Sequence, residues 1–219
     1  MPAKILVDPN DKNHFRDQLK TVKEILDQGG TIAFPTDTFY GLGANPFNES
    51  AIARIFEIKE RAGDKPLLVL ISSLNQLEAV ASSISSDAGK LMDYFWPGRL
   101  TLLLHAKNDL PDSLTASTGK IGVRLPANKT TRALIEETGT PLTAPSANIS
   151  GGKNPQTAKE VEETLGDKVD LIIDGGHTPG GKVSTLLDTT VSPPAILREG
   201  AVSTQEIESV LKKKCSSAI

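Results

Sequence analysis

The 219-residue sequence predicts an α/β (α+β) fold, a mixed sheet covered by helices. Three observations predict it. Segments with apolar residues at helical spacing alternate with short apolar runs of strand length from end to end. No internal repeat of roughly 20–50 residues is visible, which argues against a solenoid. No Pro-, Gly- or Ser-rich linker divides the chain, so a single domain is expected over residues 1–219.

Taken in order, residues 14–28 read as an amphipathic helix, with Phe15, Leu19, Val22 and Leu26 on one face and Gly29 and Gly30 as its stop. The run TIAFP at 31–35 reads as a buried strand. A helix is expected over 50–61, with Ser50 as N-cap and Ile52, Ile55 and Phe56 inward. Residues 66–71 read as a buried strand, followed by helices over 74–82 and 86–95, the second ended by Trp96-Pro97-Gly98. Strands are expected at 100–105 and 120–125, a helix at 129–138 closed by Gly139, and a short strand at 142–144 running into Pro145. A helix at 157–165 closed by Gly166 precedes strands at 169–173, 183–188 and 195–198. The last helix, 204–213, begins with a capping box of Ser203 and Glu206, and 212–219 reads as a fraying tail.

Composition removes several function classes. Lys plus Arg is 24 against 27 for Asp plus Glu, a net charge of −3, which disfavours a generally basic nucleic-acid binder while leaving room for a local basic cleft. Aromatic residues are only 4%, poor for stacking single-stranded bases. The lone Cys215 cannot form an internal disulfide or a Cys-based zinc site, and His14, His105 and His177 lack ligand spacing. The longest run of large apolar side chains, 67–71, is far below the ~20 residues of a membrane span, and MPAKILVDPNDKNHF does not read as a leader. A cytoplasmic protein without a membrane partner is expected.

Two motifs fail on inspection. Gly176 to Val183 (GHTPGGKV) nearly spells a phosphate loop, but Val183 has no hydroxyl for magnesium, and a strand rather than a helix follows. That stretch reads as a flexible connection or lid. Gly41-Leu42-Gly43 begins a dinucleotide fingerprint, but Pro46 stands where its third glycine belongs.

Four polar stretches beside strand or helix ends are the candidate chemistry. Pro35 to Gly43 (PTDTFYGLG) ends a strand in hydroxyls, a phenol and two glycines. Lys59, Arg61 and Lys65 place three cations near a helix end, suited to a polyanion or simply to the helix dipole. Pro145 to Gly151 (PSANISG) packs hydroxyls and an amide into a turn. Ser184-Thr185 and Arg198-Glu199-Gly200 flank strand ends. Arg124 interrupts the apolar run IGVRLP, and a buried guanidinium needs either an internal carboxylate or a bound anion.

Together and in order, PTDTFYGLG, Lys59-x-Arg61, KPL at 65–67, WPGRLTLLL, GVRLP, APSANISG, STLLD and LREG resemble the YrdC-type threonylcarbamoyl-AMP synthases, over about residues 15–211. The resemblance implies the short, single-domain form of that family: an open twisted mixed sheet flanked by helices around a basic concave pocket. It implies synthesis of threonylcarbamoyl-AMP and pyrophosphate from L-threonine, bicarbonate or CO2, and ATP carrying Mg2+. A downstream threonylcarbamoyl-transferase complex would act on ANN-decoding tRNA, with direct tRNA contact a further possibility. By the same resemblance Lys59, Arg61, Ser146 and Asn148 form a catalytic tetrad. Arg61, Lys65, Lys120, Ser146, Asn154 and Arg198 contact ATP. Thr38, Tyr40, Arg124, Ala144 and Ser184 contact threonine. Two positions depart from the family pattern: Leu70 stands where many relatives have His, and Asn154 where Ser is frequent. Two rival readings are a noncatalytic double-stranded RNA or tRNA-binding module and a carbamoyl-adenylate-forming domain like that of the much larger hydrogenase-maturation carbamoyltransferases.

Overall fold

The computed structural model describes residues 3–6, 12–63 and 66–217, with side chains from residue 17 onward; Phe15 and His14 therefore lie outside the described side chains. Its elements are β1 (Ala3–Leu6), α1 (Lys12–Asp27), β2 (Ile32–Phe34), β3 (Gly41–Gly43), α2 (Glu49–Lys59), β4 (Leu68–Leu70) and β5 (Ala81–Ser83). They continue with α3 (Ser86–Phe95), β6 (Leu100–Ala106), α4 (Asp112–Thr115), β7 (Lys120–Arg124), α5 (Lys129–Thr138) and β8 (Leu142–Thr143). The chain closes with α6 (Ala158–Leu165), β9 (Leu171–Asp174), β10 (Thr185–Asp188), β11 (Ala195–Arg198), α7 (Thr204–Leu211) and β12 (Ser216–Ser217).

The mixed α/β class holds, realised as two sheets that run into one another. One has the order β1-β9-β2-β3; the other runs β12-β11-β10-β6-β7-β4-β8, with β5 also paired to β6. Strand β3 joins them. Its inner edge pairs antiparallel with β2, and its outer edge exchanges backbone bonds with the chain after β8: Leu42 N to Pro145 O at 2.7 Å and Ala147 N to Tyr40 O at 2.8 Å. Thr143 seals the seam, its N–H on Ala44 O and its hydroxyl accepting from Ala44 N.

Helices cover both faces. Leu19, Val22 and Leu26 of α1 and Leu134 and Ile135 of α5 pack with Phe34, Leu70, Leu142 and Leu171. The larger cluster gathers α2, α3, α6 and α7 around Val69, Leu102, Val123 and Leu187. Each such side chain removed from water contributes roughly 1.5–3 kcal/mol before entropy is counted. Helix α1 ends as expected: Gly29 takes φ +80°, where a side chain would be strained, and its N–H returns to Leu26 O. The capping box of Ser203 and Glu206 is formed.

Several boundaries differ from expectation. The cap of α2 is Asn48, whose Oδ1 accepts from Ala51 N at 3.0 Å; Ser50 instead donates its hydroxyl to the same oxygen. The expected helix over 74–82 is a 3-10 turn, Leu74–Ala79, followed by strand β5, because Val80 N–H closes on Leu77 O and the chain then pairs with β6. Strands β1 and β3 and the single turn α4 are additional elements. Through Ser217 the expected tail is ordered, as β12 adds a parallel edge strand to β11.

Candidate active site

Where the two sheets meet, a cleft of about 1080 Å3 opens. Among the described residues, Lys59, Arg61, Lys120, Arg124 and Arg198 line it, against Glu60 and Asp188 as the acids, while Leu103, Leu186 and Leu197 supply apolar wall. An acidic chain therefore still gathers five cations around one concavity, an arrangement that concentrates anions.

The turn after β8 forms one wall, and Lys59 holds it. Helix α2 ends at Lys59 because Glu60 adopts a left-handed cap, its N–H on Glu57 O and Phe56 O. From there the Lys59 ammonium donates to Ser146 O, to Asn148 O at 2.9 Å and to Asn148 Oδ1 at 3.1 Å. All three of its hydrogens are thus directed at protein oxygens, and the residue is 3% exposed. Lys59, expected in the tetrad with Arg61, Ser146 and Asn148, thus ties the Ser146–Asn148 turn to α2. Burial, and after it the charge of Arg61, lowers its pKa to about 8. The rest of the turn is internally bonded. Ser146 Oγ donates to Asn148 Oδ1 at 2.6 Å, and Asn148 Nδ2 donates to Gly152 O at 2.6 Å and Asn154 Oδ1 at 3.3 Å. Arg61 stands beside it, Nη2 donating to Pro66 O at 3.3 Å.

The opposite corner is built on Arg124. Strand β7 runs between β4 and β6, which buries the guanidinium, and one Nη1–Oδ1 contact joins it to Asp37. Of the two partners the sequence allowed, an internal carboxylate is therefore present, and Asp37 was missing from the expected site. Arg124 Nε and Asp37 Oδ2 are buried without a hydrogen-bond partner among the described residues. Arg198 approaches from β11, with Nε and Nη2 donating to Ser184 O at 3.2 and 3.0 Å. Burial, then the Arg124 charge, lowers the Arg198 pKa. Ser184 Oγ shares a 2.9 Å hydrogen bond with Thr101 Oγ1.

Thr38 and Tyr40 line the cleft from the strand end before β3. Thr38 Oγ1 lies 3.1 Å from Thr36 Oγ1, and Thr36 donates onward to Phe39 O at 2.7 Å. Tyr40 is fully buried, with its hydroxyl donating to Gly176 O at 2.7 Å; burial and the nearby Asp174 charge raise its pKa to about 12. The Gly176–Lys182 stretch is consequently more restrained than a free connection. Gly180 N donates to Thr38 O and Thr178 N to Gln156 O. No helix opens after it, since β10 follows, so the phosphate-loop reading is rightly refused.

Lys120 lines the far end and pairs with Asp188 at 2.7 Å. Burial works to raise the Asp188 pKa, but donors from Lys120 and Thr190 outweigh it and hold the carboxyl below its ordinary range. Ala144 lines the floor, its N–H on Leu68 O. Lys65 lies outside the described residues. Leu70 is fully buried in register with Arg124 and offers no polar contact. Among the described residues, no three His, Cys, Asp or Glu side chains gather as a metal site, and no helix is long and apolar enough to cross a membrane.

The sequence and the fold both have relatives. The Sua5/YciO/YrdC family model, described as telomere recombination, matches residues 24–200. A threonylcarbamoyl-AMP synthase of Pyrococcus abyssi (strain GE5 / Orsay) is 43% identical over 194 residues, 89% of this chain and 57% of the relative. A threonylcarbamoyl-AMP synthase of Bacillus subtilis (strain 168) is 40% identical over 207 residues, 94% of this chain and 60% of the relative. The crystal structure of P. abyssi Sua5 complexed with L-threonine superposes with a TM-score of 0.91 at 38% identity, covering 99% of this chain and 62% of that one. The chain thus spans less than two thirds of the length of these relatives. With the family match running from within α1 to the end of the Arg198 strand and enclosing every cleft-lining segment, this chain belongs to the Sua5/YciO/YrdC family.

Proposed function

We propose that this chain makes L-threonylcarbamoyladenylate and pyrophosphate from L-threonine, bicarbonate or CO2, and MgATP. The product would serve a downstream threonylcarbamoyl-transferase complex acting on ANN-decoding tRNA. The observation that carries the reading is the cleft itself, whose cationic lining includes Arg124 and Arg198 with no full set of acidic partners. Its support is the name shared by the P. abyssi and B. subtilis relatives, and the L-threonine in the similarly folded P. abyssi structure.

The chemistry asks for what this cleft contains. Threonine's amine adds to CO2, and an oxygen of the resulting carbamate displaces pyrophosphate at the α-phosphorus of ATP. Two anions must be brought together, and charge gathers on phosphoryl oxygens; fixed cations and amide donors answer both needs without a protein nucleophile. In this reading Arg124, Ser184, Thr38, Tyr40 and the Ala144 backbone form the threonine end. Arg61, Lys65, Lys120, Ser146, Asn154 and Arg198 serve ATP. Lys59 and Asn148 shape the turn between the two ends. Holding a labile carbamate against ATP removes an entropic barrier on the order of 7 kcal/mol or more for a well-oriented pair. Mg2+ would arrive on the phosphates, neutralising part of their charge, a role that needs no carboxylate cage from the protein.

The test is pyrophosphate release with threonine, bicarbonate and ATP, omitting each in turn. Release that needs all three supports the proposal. Release independent of threonine, or tight double-stranded RNA binding without any release, overturns it.

A further inference from the structure

We propose that Asp37 is a positioning and charge-matching residue: it holds Arg124 by one end of its guanidinium and leaves the Nε edge for a single substrate carboxylate. The inference deepens the proposed function and rests on that reading for the identity of the carboxylate, L-threonine.

Three observations carry it. The first is the shape of the pair. Arginine and carboxylate frequently meet through two parallel hydrogen bonds. Here, with the two side chains 3% and 8% exposed, only Nη1 and Oδ1 meet. Arg124 Nε is left buried and without an acceptor, and Asp37 Oδ2 without a donor. Buried N–H groups of charged side chains are rarely left unpaired, because the missing bond is costly. No strand neighbour repairs it, since Leu70, in register on β4, has only carbon to offer.

The second observation is which member of the pair faces the cleft. Arg124 lines it, as do Thr36 and Thr38 on either side of Asp37, whereas Asp37 itself does not. The carboxylate therefore stands behind the guanidinium. It acts on a ligand through Arg124 and not by contact.

The third is charge. Arg198 reaches the same corner but donates to the Ser184 backbone oxygen, a neutral acceptor. Two guanidinium groups and one carboxylate leave a single uncompensated positive charge. That matches a monocarboxylate. Without Asp37 the corner would carry two positive charges and would suit a phosphate dianion better. Asp37 thus keeps Arg124 from joining Arg198 as a second phosphate-binding cation, so that Arg198 can serve ATP while Arg124 is left to the amino acid.

The experiment is steady-state kinetics of wild type, Asp37→Asn, Arg124→Lys and the double variant, with inorganic phosphate as competing anion and melting temperatures read in parallel. Asn keeps the shape and an acceptor oxygen but removes the charge. The expected result is a threonine KM raised at least about tenfold in Asp37→Asn, with kcat and the ATP KM changed by less than about threefold. Phosphate should become a competitor of threonine in that variant. In the double variant the two losses should not multiply, because both pass through one guanidinium. Multiplying losses, equal weakening of ATP and threonine, or an unmoved threonine KM would overturn the proposal. A wild type without threonine-dependent release counts against the proposed function instead.

A measurement on the wild type decides the matter if Asp37→Asn does not fold. In a 15N–1H spectrum of arginine side chains, the Arg124 Nε–H signal, assigned by its loss in Arg124→Lys, should move downfield with L-threonine and stay in place with L-threoninol, which lacks the carboxylate. A signal that ignores both, or answers both alike, would overturn the proposal.

Discussion

Lys59 and Asn148 are joined twice, the buried ammonium donating to the Asn148 backbone oxygen at 2.9 Å and to its side-chain Oδ1 at 3.1 Å. With the third bond to Ser146 O, one cation fixes the turn that forms a wall of the cleft. Lys59→Met keeps the apolar stem and removes all three donors; Asn148 Oδ1 retains the Ser146 hydroxyl and Ser146 O retains the Asn148 N–H, so the unpaired group is the Asn148 carbonyl, at about 1–3 kcal/mol. The unfolding midpoint should therefore fall by roughly 2–12 °C in a chain of this size, and pyrophosphate release should fall with it. Arg61→Ala, at the half-exposed cleft rim, should lower release with a much smaller change in melting. Equal melting temperatures for Lys59→Met and wild type would show that the clamp is not structural.

The same lysine predicts a pH dependence. Its folded pKa, about 8, lies below its ordinary 10.5. Below pH 8 both folded and unfolded chains carry the proton, and the cost of burying it is fully present. Between about 8 and 10.5 the unfolded chain holds the proton more firmly, so the Lys59 contribution to stability rises with pH. Denaturant unfolding at pH 7 and pH 10 checks this: wild type should gain stability relative to Lys59→Met as pH rises. A neutral amine has one donor fewer, so ATP affinity should weaken over the same interval.

Gly200 follows Arg198 by two residues, and a Cβ there would stand 2.2 Å from Val183 O and 2.7 Å from Ser184 C. Both are backbone atoms and cannot swing aside. Gly200→Ala must displace the start of β10 from β11, carrying Ser184 and Arg198 with it. The expected cost is on the order of 1–3 kcal/mol in denaturant unfolding, with threonine and ATP affinities both reduced. Gly63, whose added Cβ would meet nothing within 4 Å, is the control for substitution without consequence.

Tyr40→Phe removes the hydrogen bond to Gly176 O while keeping the ring in the core. A loss of roughly 1 kcal/mol should raise amide exchange across 176–182 several-fold and leave exchange in β6 and β7 unchanged. Exchange that rises everywhere would mean that Tyr40 supports the whole fold instead of restraining that segment.

Much of the frame was legible because its signals are local. The long strands β6 and β7 are apolar runs, and α5 and α7 carry their own caps, Asn128 and the Ser203–Glu206 box. Strand β3 is Gly-Leu-Gly and β12 is two serines; neither composition favours a strand, and each becomes one because a partner edge is waiting. The site divides in the same way. Its segments could be picked out by polar density beside strand ends, and the family pattern named them. The pairings inside it could not, since Asp37 meets Arg124 across 87 residues and Lys59 meets Asn148 across 89. Only the packed sheets decide that the Lys59 ammonium faces three carbonyl oxygens and that Arg124 has a carboxylate at its back.

The order of strands in the smaller sheet also sets a timetable. Strand β9 lies between β1 and β2, and the Thr31 backbone just before β2 bonds to an Asp170 carboxylate 139 residues further along. At a synthesis rate of about 5–20 residues per second, the β2-β3 hairpin waits roughly 6–26 seconds for its central neighbour. Until then Ile32 and Phe34 have only β3 as a partner and the other edge of β2 is open, so early segments of the nascent chain must be kept from pairing elsewhere. The cleft, which needs both sheets, is accordingly assembled late, and refolding should recover secondary structure well before it recovers ligand binding.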